Sequence, residues 1–236
     1  TFDELVPYAE KLAKKVSEEL NIPIYLYEHA AREDKRRNLA NVRSGEYEGL
    51  NKKINSKEWK PDFGSSFNKK SGATAIGVRD FLIAYNINLN TKSTRLANAI
   101  AFDVREKGRI KRKGHPVIGE IVYDKNGNPD TIPGSLKHVK AIGWYIEEFG
   151  IAQISMNLTN ITETPIHTVF EEVVKKANAR GASVTGSELV GLIPLKSMID
   201  AGKYFLKKQN RSIGIPEEDI IKIAIESLGL NQVKTF

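Results

Sequence analysis

The order of hydrophobic patterns along the chain predicts an α+β fold whose part from Phe81 onward is a ferredoxin-like βαββαβ unit, with an antiparallel sheet and helices on one face. Three observations lead there. From Phe81 onward, segments of strand and helix periodicity follow each other as β-α-β-β-α-β and then two helices. Residues 139–147 and 151–158 are strands parted only by a turn near Phe149-Gly150. Within the strands, short amides alternate with aliphatic side chains, so one sheet face is covered and the other is not.

The first predicted segment is 1–78. Thr1-Phe-Asp-Glu4 is a capping box that satisfies the orphan amides of a first helical turn. Leu5, Tyr8, Ala9, Leu12, Ala13, Val16 and Leu20 then mark the expected inward helical face. Asn21-Ile-Pro23 closes the helix, and 22–27 reads as a strand that tolerates Pro23 near its start. A lone strand leaves its edges unpaired, so this helix and strand need sheet partners, and nothing nearby in the sequence supplies them. Residues 32–59 are charged and irregular, with short helices around 38–42 and 50–54; 61–74 is a polar Gly/Ser loop.

The second predicted segment is 79–236. Residues 81–89 form a strand, and 93–107 a helix with Leu96, Ala97, Ile100, Ala101 and Val104 inward and Gly108 at its end. Residues 110–134, with Gly-His-Pro and Lys-Asn-Gly-Asn-Pro, are an excursion containing a small hairpin. After the two strands, Thr164-Pro165 starts a helix with Val169, Phe170, Val173, Val174 and Ala177 inward, and Gly181 ends it. A strand over 184–194 and helices over 195–207 and 216–228 complete the pattern.

Side chains alternate along a strand, so Ala84, Asn86 and Asn88 share a face, as do Gln153, Ser155 and Asn157. The first and third strands are neighbours in this topology. A face of Asn86, Asn88, Gln153, Ser155 and Asn157 is either solvated or the polar floor of a cleft. Short amides, where a solvated face would favour Lys and Glu, favour the cleft.

Composition narrows the classes. The 236 residues are 40% hydrophobic and 28% charged, which argues against disorder. No stretch approaches the ~20 apolar residues of a membrane helix. With Cys 0 there is no thiol nucleophile or disulfide, which suits a reducing cytosol. A net charge of +7 is modest for a nucleic-acid binder and fits a protein that handles anionic small molecules. The one dense cationic cluster, Arg105 to Lys113, is read as a solvated loop, an acidic-ligand or partner site, or a nucleic-acid contact, in that order. His29, His115, His138 and His167 have no second ligand at metal-binding spacing, so no metal is expected, and Gly114-His-Pro reads as an exposed loop histidine. Asp62-Phe-Gly64 lacks every companion motif of a kinase. Gly64, Ser65, Ser66, Phe67, Asn68, Lys69, Lys70, Ser71 and Gly72 combine close backbone approach, hydroxyls, one aromatic and two cations. Such a stretch is either a flexible loop or a clamp for a flat heterocycle at Phe67 with an anionic tail at Lys69 and Lys70.

Several longer motifs carry a resemblance. Pro61-Asp-Phe-Gly-Ser-Ser-Phe67, Ser71-Gly-Ala-Thr74, Phe81-Leu-Ile-Ala-Tyr-Asn-Ile-Asn-Leu89, Gly143-Trp-Tyr145, Ile154-Ser-Met-Asn-Leu158, His167-Thr-Val-Phe-Glu171 and Gly186-Ser-Glu-Leu-Val-Gly-Leu-Ile-Pro-Leu195 resemble the glutamate formiminotransferase family over nearly the whole chain. The resemblance implies transfer of a formimino group from N-formimino-L-glutamate to tetrahydrofolate, giving 5-formiminotetrahydrofolate and glutamate in histidine degradation. It implies tetrahydrofolate as a co-substrate, no metal, a cytoplasmic homodimer, and no nucleic-acid or membrane partner. It implies two ferredoxin-like βαββαβ subdomains with antiparallel sheets that face each other across a folate tunnel, with the folate-binding segment at Gly64 to Gly72. The family's catalytic histidine lies in a Gly-Glu-His-Pro-type motif that this reading places before Thr1, so none of the four histidines is expected to be catalytic. The chain is expected to be clipped at its front and slightly at its end, after Phe236. The alternatives are a related folate-dependent formyltransferase and, from another class, a ferredoxin-like RNA-binding module, which would place aromatics on the open sheet face.

Overall fold

The computed structural model describes residues 1–115 and 118–231. Pro116 of the Gly-His-Pro turn and Phe236 at the end of the second predicted segment lie outside the described residues. The architecture is α+β, in two compact units, Thr1–Asp80 and Phe81–Phe236.

The first unit opens with helix α1 (Phe2–Leu20), capped by the Thr1/Glu4 box. Its inward face keeps Ala9, Ala13 and Val16 of the expected stripe and loses the larger residues. Ala9, Ala13 and Ser17 are buried, with Phe2, Val6 and Val16 packed beside them, whereas Leu5, Tyr8, Leu12 and Leu20 are exposed. Two apolar stripes overlap on this helix, and the one bearing alanines packs inward, because small side chains let α1 approach the strands closely. Strand β1 (Ile24–Glu28) follows, then helices α2 (Leu39–Arg43) and α3 (Glu46–Ile54).

The partner that the sequence did not reveal is β2 (Thr74–Val78), which pairs with β1 in parallel from Ile24 opposite Thr74 to Glu28 opposite Val78. This corrects two expectations. The lone strand has a partner, and the sheet of the first unit is parallel rather than antiparallel. Thr-Ala-Ile-Gly-Val is short, has no polar alternation and follows a polar loop, so no local pattern announces it. On its other edge β1 forms a bridge to Phe63, with Ile24 N donating to Phe63 O at 2.9 Å and Asp62 N donating to Ile24 O at 2.8 Å.

In the second unit, β3 (Ile83–Leu89) leads into α4 (Thr94–Val104), whose N-cap Ser93 accepts from Leu96 N at 3.2 Å. The excursion is longer than one hairpin. It consists of β4 (Arg109–Ile110), β5 (Arg112–Lys113), β6 (Glu120–Ile121) and β7 (Thr131–Ile132), with β4 paired to β7 and β5 to β6. Then come β8 (Val139–Ile146), β9 (Ile151–Leu158), α5 (Ile166–Asn178), β10 (Val184–Val190), α6 (Leu195–Lys208) and α7 (Glu217–Ser227).

The four long strands form one antiparallel sheet in the order β10-β3-β9-β8. Ile83, Tyr85, Ile87 and Leu89 share a core with Ile154, Met156 and Leu158, with Ile100 and Val104 of α4, and with Val169 and Val173 of α5. Helix α4 sits so close to β8 that a Cβ on Gly143 would meet the backbone N of Asn98 at 2.2 Å. Asn98 exploits that approach, since its amide accepts from Gly143 N at 3.0 Å and donates to Gly143 O at 3.0 Å.

Candidate functional site

The register fixes what lies on the sheet face opposite that core. Asn86 stands opposite Ser155, Asn88 opposite Gln153 and Ala84 opposite Asn157. On the outer strands Glu188 stands opposite Asn86, Trp144 opposite Gln153, Ile142 opposite Ser155 and Lys140 opposite Asn157. The five polar residues marked by alternation therefore share one face, but not one environment. Asn86, Asn88 and Gln153 are buried, Ser155 is half-buried and Asn157 is exposed.

The buried end is a hydrogen-bonded network. Gln153 Nε2 donates to Asn88 Oδ1 at 2.7 Å and to Glu188 Oε2 at 3.2 Å, while its Oε1 accepts from Trp144 Nε1 at 2.8 Å. Indole can only donate, so it fixes which way the Gln153 amide points. Asn86 Nδ2 reaches Glu188 Oε2 at 3.5 Å. The result is a half-exposed carboxylate and a half-exposed indole held on an amide base. Glu188 and Trp144 were not singled out from the sequence. Extending the alternation of β8 from Lys140 through Ile142 to Trp144, and of β10 to Glu188, places both on the amide face.

The Gly64–Gly72 loop belongs to the first unit, and its residues play different parts. Gly64 has φ +70°, and a Cβ there would meet Ser17 Oγ at 2.8 Å, so glycine is required by backbone and space together. Phe67 is half-buried, 5.7 Å from the Tyr47 ring, and packs against the small core of Tyr25, Val42 and Ile54. Asn68 builds the tip. Its Oδ1 accepts from Lys70 N at 2.9 Å and Ser71 N at 3.0 Å, its carbonyl accepts from Gly72 N at 2.8 Å, and its Nδ2 donates to Asn21 O at 3.0 Å. Ser65, Ser66, Lys69, Lys70 and Ser71 are exposed.

Ser71 and Gly72 line a cavity of about 430 Å³ with Tyr47, Leu50, Arg43 and Lys53; Gly64 through Lys70 lie outside its lining. The Lys53 ammonium donates to the carbonyls of Asn41, Val42 and Ser44 at 2.7–3.0 Å and sits 4.0 Å from the Trp59 ring centroid. Burial, and then the charge of Arg36, lowers its pKa below the ordinary lysine value. Tyr25, also on this cavity, donates to Trp59 O at 2.6 Å, and burial pushes its pKa up to about 12. That phenol stays protonated and serves as a structural donor.

The histidines are scattered. His29 stacks on Phe2 with ring centroids 4.3 Å apart, His138 Nε2 lies 2.9 Å from Glu163 Oε2, and Ile118 N approaches His115 Nδ1 at 3.3 Å. His167, on α5, stacks on Tyr204 at 4.3 Å, and its Nδ1 is buried without a hydrogen-bond partner. Burial lowers the His167 pKa below 6.5, against the opposing pull of Asp200 and Glu171. An imidazole kept neutral in the fold is protonated first in the unfolded chain, so stability is expected to fall as pH drops from 6.5 through the depressed native value. Urea unfolding of wild type and His167→Gln between pH 5 and 7 should show a steeper acid-side loss in wild type; parallel profiles would refute this. Among the described residues no group of three or more His, Asp or Glu is placed to hold a metal, and no helix is long and apolar enough to cross a membrane.

Residues 84–236 match the model of the formiminotransferase domain, and residues 1–79 match that of the formiminotransferase domain, N-terminal subdomain. The formimidoyltransferase-cyclodeaminases of Dictyostelium discoideum and Gallus gallus are 43% and 44% identical over the whole of this chain, which covers 40% of each of them. The glutamate formimidoyltransferase of Thermoplasma acidophilum is 38% identical over 94% of this chain and 64% of its own length. The chain thus spans about two-fifths of the length of the first two relatives.

Proposed function

The chain belongs to the formiminotransferase family, and from that premise we propose that it works in a folate-dependent transferase that moves the formimino group of N-formimino-L-glutamate to tetrahydrofolate. The observation that carries the reading is the family match over 84–236, the unit that holds the amide-floored sheet face. In the proposed reaction, N5 of tetrahydrofolate attacks the amidine carbon and a tetrahedral intermediate forms. The N5 proton is removed, the C–N bond to glutamate breaks, and the departing glutamate nitrogen takes up a proton. The products are 5-formiminotetrahydrofolate and glutamate, as in histidine degradation. Glu188 on its amide base is suited to accept hydrogen bonds from an amidine or a pterin ring, and Trp144 offers a flat wall beside it.

Gly64, Ser65, Ser66, Phe67, Asn68, Lys69, Lys70, Ser71 and Gly72 are proposed to meet the folate, with the two exposed lysines on its carboxylates. Paired ferredoxin-like subdomains around a folate tunnel, a homodimer and a cytoplasmic setting are parts of the same reading; the absence of cysteine from the chain fits a reducing compartment. The acid–base imidazole is taken to be none of the four histidines, because none of them stands in the Gly-Glu-His-Pro-type motif that carries it in the family.

The protein that carries this chain should form 5-formiminotetrahydrofolate from the two substrates. Use of a formyl donor alone would replace the reading by the formyltransferase alternative. Replacing Lys69 and Lys70 together by Ala should weaken binding of polyglutamylated folate by up to about tenfold, the effect of two exposed charge contacts. An unchanged Kd for every tail length would remove these lysines from the site. The RNA-binding alternative is disfavoured because, among the described residues of the amide face, Trp144 alone is aromatic.

A further inference from the structure

A concavity in the second unit is used by neither the sheet face nor the loop. It lies between α4 and the β4–β7 ribbon and has a volume of about 790 Å³, within the roughly 300–1,000 Å³ of small-molecule sites. Leu96, Ala99 and Phe102 of α4 and Ile110 of β4 give it an apolar wall. Arg95, Arg105, Arg109, Arg112 and Arg180 line the same space.

Four of these guanidinium groups, those of Arg105, Arg109, Arg112 and Arg180, are held in place, and the set is poorly neutralised. Among the described residues, one carboxylate, Asp103, accepts from both Arg109 and Arg180. Arg105 is fixed by carbonyls, with Nε donating to Gly108 O at 2.8 Å and Nη1 to Ala141 O at 3.3 Å. Arg112 Nη1 donates to Gly119 O at 2.7 Å. Carbonyl bonds aim a guanidinium without cancelling its charge. Arg105 Cζ also sits over Phe102, 4.0 Å from the ring centroid. Burial, then the neighbouring Arg109, disfavours the charge of Arg105. Like charges gathered at an apolar wall repel one another and lose hydration, so the arrangement costs stability while it is empty of anions.

We propose that this cavity binds a small phosphorylated molecule with a flat ring, of the nucleotide class. Converging guanidinium forks match phosphate oxygens in pairs, and a phosphate chain puts more charge into a given volume than carboxylates do. The Leu96–Phe102 wall and the Arg105 plane take the ring. A polynucleotide needs a track of cations along a surface, whereas these cations converge on one concavity.

The test is calorimetric titration of the whole protein, at fixed ionic strength, with ATP, tripolyphosphate and citrate. ATP should bind one to one, more tightly than tripolyphosphate, and citrate should be weakest. Arg95→Gln with Arg112→Gln should weaken ATP about tenfold or more, as expected when charge-assisted hydrogen bonds are lost. Phe102→Leu should weaken ATP and leave tripolyphosphate unchanged. The Lys69/Lys70 double alanine variant should bind ATP as wild type does, which separates this site from the proposed folate loop. Equal affinity for ATP and tripolyphosphate would overturn the flat-ring assignment. Unchanged ATP binding in the double arginine variant with a wild-type melting curve, no binding at millimolar ATP, or tighter binding of a single-stranded RNA 20-mer would overturn the site.

Discussion

Replacing Asp62 by Ala should destabilise the first unit by about 3 kcal/mol, the lower end of the cost of breaking a buried ion pair, because Arg36 then still has the half-exposed carboxylate of Glu33, 3.2 Å from its Nη2. Arg36 and Asp62 have side chains only 4% and 3% exposed and meet at 2.8 Å. The carboxylate also accepts from Leu26 N at 2.8 Å, and Arg36 Nη2 donates to Lys60 O at 2.8 Å. One pair therefore ties β1 to the segment that enters the Gly64–Gly72 loop. Asp62→Ala should lower the urea midpoint and speed hydrogen exchange through 62–72, while Asp62→Asn, which keeps an acceptor for Leu26, should lose less. Replacing the pair together, Arg36→Met with Asp62→Leu, should recover much of the loss, because no charge is then left buried. A double variant no better than Asp62→Ala would show that the hydrogen bonds outweigh the charge.

Gly143→Ala is expected to cost about 3 kcal/mol, at the upper end for overpacking, because the new methyl meets helix backbone and no flexible side-chain end. It would stand 2.2 Å from Asn98 N and 2.4 Å from Ala97 C. Moving α4 away would open the Ile100 and Val104 packing and break both bonds between Asn98 and Gly143. At this size about 3 kcal/mol corresponds to a Tm lower by roughly 6–12 °C. A shift within 2 °C would mean that α4 yields freely.

How legible these features were depends on where their partners lie. The second unit could be read because its strands alternate regularly. Asn86, Asn88 and Gln153 announce a polar face by themselves, and the paired register then adds Trp144 and Glu188. The first unit resisted because its information is non-local. Thr74–Val78 becomes a strand only beside Ile24–Glu28, and Asp62, in a motif set aside as kinase-like, matters only because Arg36 is folded against it. On α1 the periodicity marked too wide a stripe: Ala9 and Ala13 pack inward as expected, while Leu5, Tyr8 and Leu12 stay exposed, because steric fit against the strands admits only the small side chains. The arginine cavity was visible as a run of charge, without the fold that curves it around Phe102.

The parallel pairing of β1 with β2 also bears on the order in which the chain assembles. Residues 29–73 must be closed into a loop before the first hydrogen bond between these strands can form. The connection between β8 and β9 spans only 147–150. Loop-closure entropy makes the longer connection about 2 kcal/mol more costly to close. The β8–β9 hairpin can therefore nucleate locally, while the first unit gains its sheet late, after α2, α3 and the Arg36–Asp62 contact have shortened the effective loop.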